Sequence, residues 1–358
     1  MFAIDPQVFG TRLKNARKMA GMSLQQLSDA VTNQITKQSL SKYELGLMKP
    51  TAELIFAISK VLSVKPDYFL KQGILELGDI SFRKRVALSK GNEELIVEQA
   101  KDYVERYLEL ESLLGIEQFF RNPLGEQEIS DKSDLRKAAA QLRSVWEIGT
   151  GPISNLVQLL ELKGIKIQLV KVSDDFDGLA AHSVNGIPIV VVNTFNRSIE
   201  RIRFTILHEL AHLLLNLPPE VMAQNKLIEE YCHYFSSCFL LPEKALFERI
   251  GGPKRSYISI NELIEIKEQF GISIRAIVHR LQSLEVINST YYQKWMVYMS
   301  KTYGSKNEPG SFKGEERQVQ FDMLINRALS EGVISFSKAA SLSNRSIEEI
   351  MEGYRSVK

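Results

Sequence analysis

The stretch that decides the fold is FTILHELAHLLLN, residues 204–216, in which two histidines enclose a glutamate in the pattern H-E-x-x-H. Its apolar residues have helical spacing, and positions i and i+4 of a helix lie on one face, one turn apart. The imidazoles of His208 and His212 are therefore expected to reach one zinc ion, with Glu209 beside them as a general base. The apolar flanks support this interpretation, because buried polar groups are costly unless they serve a purpose.

A catalytic zinc needs a third protein ligand and one open position. The segment LIEEYCHYFSSCFLLP, residues 227–242, predicts a second helix that offers Glu229 and Glu230. Glu229 precedes His233 by four residues, so the two share a helix face. We expect Glu229 to be the ligand and His233 to orient a ligand by hydrogen bonding.

Two alternatives to a working zinc site stay open. A buried helix can hold histidines that are satisfied by backbone and glutamate partners, and a degenerate site can bind metal without cleaving anything. The intact Glu209 favours an enzyme, because a purely structural zinc site has no need for it. The other two histidines, His182 and His279, are expected to be structural or surface residues, with His182 also a candidate for the cleft.

The composition is that of an ordinary soluble protein. The 358 residues suffice for two or three domains, and the 44% hydrophobic and 25% charged fractions fit globular folding. No apolar run is long enough to span a bilayer, and the first ten residues lack a signal pattern, so a cytoplasmic protein with no membrane partner is expected. Cys232 and Cys238 are too few for a disulfide framework, and we predict two reduced, mostly buried thiols.

The first 72 residues predict a DNA-binding module. They hold ten Lys/Arg and five Asp/Glu, a positive surplus that residues 131–250 lack, with thirteen and fourteen. Ser23 and Gln26 form a capping-box pattern before one helix, and after a turn Thr36 can cap a second. Four polar residues of the second helix are predicted contacts to duplex DNA: Lys37, Gln38, Ser39 and Lys42. The alternative is an all-helical protein-interaction domain.

The whole chain predicts an α+β protein that is mostly helical. Strands are expected at residues 165–172 and 187–193, with a third short strand in FDGLAAHSV between them. The predicted division is a helix-turn-helix domain at 1–72, a helical linker region at 73–130, an α+β domain at 131–250 and a helical C-terminal region at 251–358.

Residues 133–245 resemble the ImmA/IrrE family of metallopeptidases, through PISNLVQLLELKGIKI, FDGLAA, IPIVVVN, RIRFTILHELAHLLLN and IEEYCHYFSSCFLLP. The resemblance implies a zincin-like domain with a small sheet, and it puts Glu229 at the ligand position. It also implies a Zn²⁺ peptidase that cuts a specific protein, commonly a transcriptional repressor. Three positions depart from the family pattern, with Cys232 for Ala, His233 for Asn or Asp, and Ser236 for Ala.

Residues 9–70 resemble the Xre/Cro-type repressor domain, through RLKNARKMAGMSLQQLSDAV, QSLSKYELG and IFAISKVLSV. The combination is similar to two-domain regulators of mobile elements and toxin–antitoxin loci. It predicts a DNA-binding regulator with zinc-dependent endopeptidase activity, acting as a homodimer because one short recognition helix reads few base pairs. The alternative function is a non-enzymatic repressor or antitoxin whose metal domain is a scaffold for a partner such as a cognate toxin.

Overall fold

The computed structural model describes residues 5–31, 35–71, 77–84, 90–117, 119–304 and 307–355. Its α-helices in chain order are α1 Pro6–Met19, α2 Leu24–Ala30, α3 Lys37–Glu44, α4 Ala52–Leu62, α5 Lys90–Leu113, α6 Lys132–Val145, α7 Leu156–Leu162, α8 Ile199–Leu214, α9 Pro219–Met222, α10 Asn225–Leu240, α11 Glu243–Ile250, α12 Ile260–Phe270, α13 Ile274–Ser283, α14 Ser289–Tyr303, α15 Gln320–Ser330, α16 Phe336–Ser343 and α17 Ile347–Arg355. The strands are β1 Leu77–Lys84, β2 Lys166–Val170, β3 Phe176–Ser183 and β4 Pro188–Asn193, and a 3-10 helix spans Pro66–Leu70. The predicted α+β, mostly helical fold is confirmed.

The chain forms two compact units, each assembled from separated stretches. Unit 1 comprises Met1–Gly78, Val86–Gln118 and Val319–Lys358, and unit 2 comprises Asp79–Arg85 and Phe119–Gln318. The predicted domains, in contrast, are continuous in sequence. Within the described residues, no helix is both long and apolar enough to cross a membrane.

The first four helices of unit 1 enclose an aromatic core. The ring of Phe9 lies 6.1 Å from that of Tyr43 and 5.6 Å from that of Phe69, centroid to centroid. Ser23 and Gln26 form the predicted capping box at the start of α2, which satisfies backbone N–H groups that the helix leaves unpaired. Thr36 caps α3 through a bond from the backbone N–H of Ser39.

Ion pairs bind α1 to two other helices of unit 1, α3 and α5. Arg17 of α1 donates two hydrogen bonds to the carboxylate of Glu44, at 2.6 and 2.9 Å, and so fixes α1 against α3. The buried Arg12 pairs with Glu105 of α5 at 2.7 Å. Bidentate Arg–carboxylate pairs hold orientation as well as proximity, so the pair of Arg17 with Glu44 fixes the orientation of α3 relative to α1.

The sheet of unit 2 has the strand order β1-β3-β4-β2. β2 runs parallel to β4, and β3 runs antiparallel to it with Gly178 opposite Val192. All six residues of β4 are buried, as expected for a central strand that is covered on both faces. The predicted strands lie where the sequence places them, but β1 falls within residues 73–130, for which only helix is predicted.

Helix α8 packs on β3 and β4, and α10 packs on α8 and α6. The fully buried Arg203 anchors α8 within unit 2. Its guanidinium is ion-paired with Glu316, donates to the carbonyl of Ile153 at 2.9 Å and lies 4.1 Å from the ring centroid of Phe312. A buried charge needs such a full set of partners, because its desolvation is costly. The same Glu316 accepts from the first N–H groups of α7, which begins at Leu156.

Candidate metal centre and DNA-binding helix

The motif residues lie in the second half of α8, which Ser198 caps. His208 and Glu209 are fully buried, and the side chain of His212 is 12% exposed. The ring nitrogens Nε2 of His208 and His212 lie 3.2 Å apart, as the one-turn spacing predicts. The helix therefore presents two nitrogen donors at one point.

Helix α10 brings the carboxylate of Glu229 to this point. Its oxygens lie 3.2 Å from Nε2 of His208 and 3.5 Å from Nε2 of His212. The hydrogen bonds from His208 and then His212 hold the pKa of Glu229 far below its usual value, so the carboxylate is ionised. Glu230, the other candidate, instead pairs with Lys132 at 2.7 Å, and both of those side chains are about half exposed.

The separations of the three donors fit a tetrahedral zinc site. Zinc binds histidine nitrogen and carboxylate oxygen at about 2.1 Å, so neighbouring tetrahedral ligands lie about 3.4 Å apart. The observed donor distances among His208, His212 and Glu229 are 3.2, 3.2 and 3.5 Å. Three protein ligands in such an arrangement leave one position for water or substrate, which is the pattern of catalytic zinc sites.

His233 lies within the same cluster. One of its ring nitrogens forms a second possible triad with His208 and Glu229, in which all donor atoms are within 4.8 Å of one another. Its ring centroid is 4.6 Å from that of His208 and 5.8 Å from that of Phe204. The shorter donor distances favour the triad that contains His212, and His233 then lies against the ring of a ligand.

Glu209 points toward the sheet, where it meets β3 at a glycine. A Cβ added to Gly178 would come within 2.7 Å of Oε1 of Glu209. The neighbouring Asp177 accepts hydrogen bonds from Arg197 at 3.1 Å and from Arg201 at 2.9 Å. These ion pairs tie β3 to the beginning of α8, so the motif helix and the strand that contacts Glu209 are fixed to each other.

The buried thiol of Cys232 is a neighbour of the site that the sequence did not indicate. Its Sγ lies 3.7 Å from Nδ1 of His212, within the range of a sulfur hydrogen bond. A hydrogen bond at one ring nitrogen of a histidine sets which nitrogen is available to a metal. Cys232 and Cys238 are both buried free thiols, as predicted.

A cavity of about 480 Å³ opens beside the cluster. Its lining includes Glu229 and His233, the apolar groups of Phe204, Tyr234 and Ala276, and His279 of α13. The structure places neither His182 nor His279 in the donor cluster. His182 is half-buried on β3 opposite Pro188, and burial lowers the pKa of both histidines.

In unit 1, helix α3 has one buried and one exposed face. Leu40 and Tyr43 are buried in the core, while three of the predicted contact residues are exposed, Lys37, Gln38 and Lys42. The fourth, Ser39, is partly buried, and its hydroxyl lies 3.0 Å from that of Thr36. Lys37 and Gln38 lie in the N-terminal half of α3, where recognition helices contact base edges, and Lys42 lies in its C-terminal half.

Comparisons with known proteins find a family match for each of the two regions. Residues 13–69 match the Helix-turn-helix family, and residues 161–282 match the IrrE N-terminal-like domain of peptidase family M78. The chain is also similar to the SPbeta prophage-derived uncharacterized HTH-type transcriptional regulator YonR of Bacillus subtilis (strain 168). The identity is 31% over 106 residues, which are 29% of this chain and 96% of that relative. The chain therefore belongs to the Xre/Cro-type helix-turn-helix regulators, and it joins this DNA-binding domain to a metallopeptidase-family domain of the ImmA/IrrE type.

Proposed function

We propose that unit 2 is a zinc-dependent endopeptidase and that the helix-turn-helix domain holds the protein at an operator. The main support for the peptidase is that the donor atoms of His208, His212 and Glu229 lie 3.2–3.5 Å apart. Glu209 lies on the same helix as the two histidines. His208, His212 and Glu229 are the zinc ligands in this proposal. His233 packs against His208 and orients it.

Zinc, when bound, supplies Lewis acidity to the scissile carbonyl and to the attacking water. Glu209 accepts the proton of that water and then delivers it to the departing amine, so one carboxylate serves as base and as acid. Its confinement between α8 and Gly178 leaves the carboxylate few orientations, which keeps it in reach of the reacting atoms. The cavity lined by Phe204, Tyr234 and Ala276 accepts an apolar side chain of the substrate next to the scissile bond.

The substrate in this proposal is a specific regulatory protein, such as a co-encoded repressor. A regulator that cut unfolded protein freely would harm its host, so recognition requires a particular partner or an activating signal. The test incubates zinc-loaded protein with each co-encoded repressor or toxin, and mass spectrometry locates new N-termini. Cleavage that a chelator abolishes and zinc restores supports the peptidase. Bound zinc without cleavage of any such partner points instead to a non-enzymatic repressor or antitoxin with a metal-bearing scaffold.

The exposed face of α3 is the proposed operator contact, through Lys37, Gln38, Ser39 and Lys42. Gln38 is suited to adenine, which it can bind through two hydrogen bonds, and the lysines to guanine or phosphate. Because one such helix reads only a few base pairs, we propose a homodimer that binds two half-sites about one helical turn apart. Binding to the protein's own promoter that weakens steeply with salt supports this arrangement.

A further inference from the structure

The sheet of unit 2 contains one strand that comes from outside the peptidase-family domain. β2, β3 and β4 all lie within residues 161–282, which match the IrrE N-terminal-like domain. β1 lies far upstream in the sequence, yet it pairs with β3 at the end of the sheet. Without β1, the strand order would be β3-β4-β2, and β3 would be an open edge.

The edge that β1 covers belongs to the strand that contacts Glu209. Gly178 of β3 is the residue whose absent side chain leaves room for that carboxylate. β3 also packs directly on α8, which carries two of the three zinc ligands in the proposed function, His208 and His212. β1 is therefore the direct neighbour of the strand whose backbone lies against Glu209, the proposed general base.

An open strand edge is a binding site for an extended peptide. Its unpaired N–H and C=O groups form a new ladder with an incoming segment, and this mode of recognition fixes the backbone while leaving side-chain sequence free. An endopeptidase needs its substrate extended, because the scissile peptide bond must be reachable by the general base. The edge of β3 satisfies this requirement for a substrate of unit 2.

We propose that β1 occupies, within the same chain, the edge of β3 at which an extended segment of the protein substrate pairs. β1 is then an autoinhibitory strand, and the peptidase acts only after the substrate or an activating partner displaces it. This inference rests on the proposed peptidase function.

The strand is tethered at both ends, since Met1–Gly78 and Val86–Gln118 belong to unit 1. A tethered occupant competes at an effective concentration on the order of millimolar. A free peptide of the same sequence is therefore expected to bind the intact chain poorly, even at concentrations that saturate an open edge. This difference gives a readout that does not depend on catalysis.

The decisive variant replaces residues 77–84, LGDISFRK, by a Gly/Ser segment of equal length in the full chain. A fluorescent LGDISFRK peptide is expected to bind this variant at least tenfold more tightly than the intact chain, with a scrambled peptide as control. Cleavage of a co-encoded partner is expected to rise at least tenfold. Added peptide is then expected to suppress that cleavage competitively.

Two point variants form a matched pair inside β1. Only alternate N–H groups of an edge strand point toward its single neighbour. Of Ile80→Pro and Ser81→Pro, one therefore removes a hydrogen bond to β3, and the other removes an N–H that points away. We expect one variant of the pair to be activated and the other to stay close to the intact chain.

The outcomes separate the two proposals. A strand-replaced variant that binds zinc and the peptide but cuts nothing supports β1 as the occupant of the edge and contradicts the peptidase. A variant that binds the peptide no better than the intact chain, and cuts at the same rate, overturns the autoinhibitory strand and leaves the peptidase standing.

Discussion

Gly178 of β3 lies against the carboxylate of Glu209, so closely that a Cβ at position 178 would come within 2.7 Å of Oε1. The backbone of a strand thus forms one wall around the proposed general base. Because Glu209 is fully buried, it has little room to move away from an added methyl group.

Gly178→Ala is expected to lower cleavage at least tenfold while zinc content stays at one per chain. The three atoms nearest to the added methyl group all belong to Glu209, so its displacement is the expected effect. Overpacking of this kind typically costs about 1–3 kcal/mol of stability, so the thermal midpoint should be measured beside the rate. Gly151→Ala is the matched control, because no atom lies within 4 Å of its added Cβ. Full activity of Gly178→Ala would count against Glu209 as the base.

The third ligand is tested by a pair of adjacent glutamates. Glu229→Ala is expected to weaken zinc binding on the order of a hundredfold or more, since it removes one of three protein ligands. Glu230→Ala is expected to keep zinc, because its carboxylate pairs with Lys132 on the surface. Elemental analysis of both variants measures their zinc content. Zinc that is kept by Glu229→Ala but lost by Glu230→Ala would reverse the assignment of the third ligand.

His233→Ala should retain zinc with reduced affinity, and complete loss of zinc would favour the triad that contains His233.

Cys232 is expected to position His212. If its sulfur accepts the hydrogen of Nδ1, then Cys232→Ala should lower zinc affinity about 10–100-fold, the usual effect of losing such a partner. Cys232→Ser, which can still accept a hydrogen bond, should restore part of the loss. Cys238→Ala is the control, since that sulfur accepts from Arg280 at 2.8 Å and its loss should affect stability alone. If the intact chain, Cys232→Ala, Cys232→Ser and Cys238→Ala all bind zinc with the same affinity, Cys232 does not position His212.

Much of the metal cluster could be predicted from local sequence, because helix periodicity fixes which residues share a face. His208 and His212 are one turn apart in any helix, and Glu229 shares a face of the next helix with His233. The contacts of Gly178 and Cys232 could not be predicted in the same way. A glycine inside FDGLAA does indicate a close approach of some group, but only the packing of β3 on α8 shows that the group is Glu209.

The secondary structure is likewise predictable from the sequence only where its signal is local. Helices α2 and α3 begin at capping residues, Ser23 and Thr36, that the sequence displays directly. Strand β1 has no comparable signal, since its eight residues become a strand by pairing with β3, which lies far along the chain. Strand preferences depend on the neighbouring strand more than helix preferences depend on context.

We expect the proposed DNA contacts to be of two kinds, which differ in their salt dependence. Gln38→Ala is expected to cost about 1–3 kcal/mol at the cognate operator and nothing on unrelated DNA, because it removes base readout. Lys42→Ala should weaken binding to all duplexes and reduce the log–log salt slope by about one unit. Lys60→Ala, an exposed lysine on α4, is the control and should change neither quantity. Equal losses on operator and unrelated DNA for Gln38→Ala would contradict base readout by that residue.

The central claim is tested most directly by comparing the strand-replaced chain that keeps Glu209 with the same chain carrying Glu209→Gln, so that β1 does not mask activity. The amide is nearly the same size as the carboxylate, so folding and zinc content should be unchanged, but it cannot accept the proton of the attacking water. Both proteins are incubated with each co-encoded repressor or toxin, and new N-termini are counted by mass spectrometry. We expect defined fragments with Glu209 present and a rate lower by about 10²–10⁴-fold with glutamine. Equal fragment yields from the two zinc-loaded proteins, or no fragments from either, would contradict the claim.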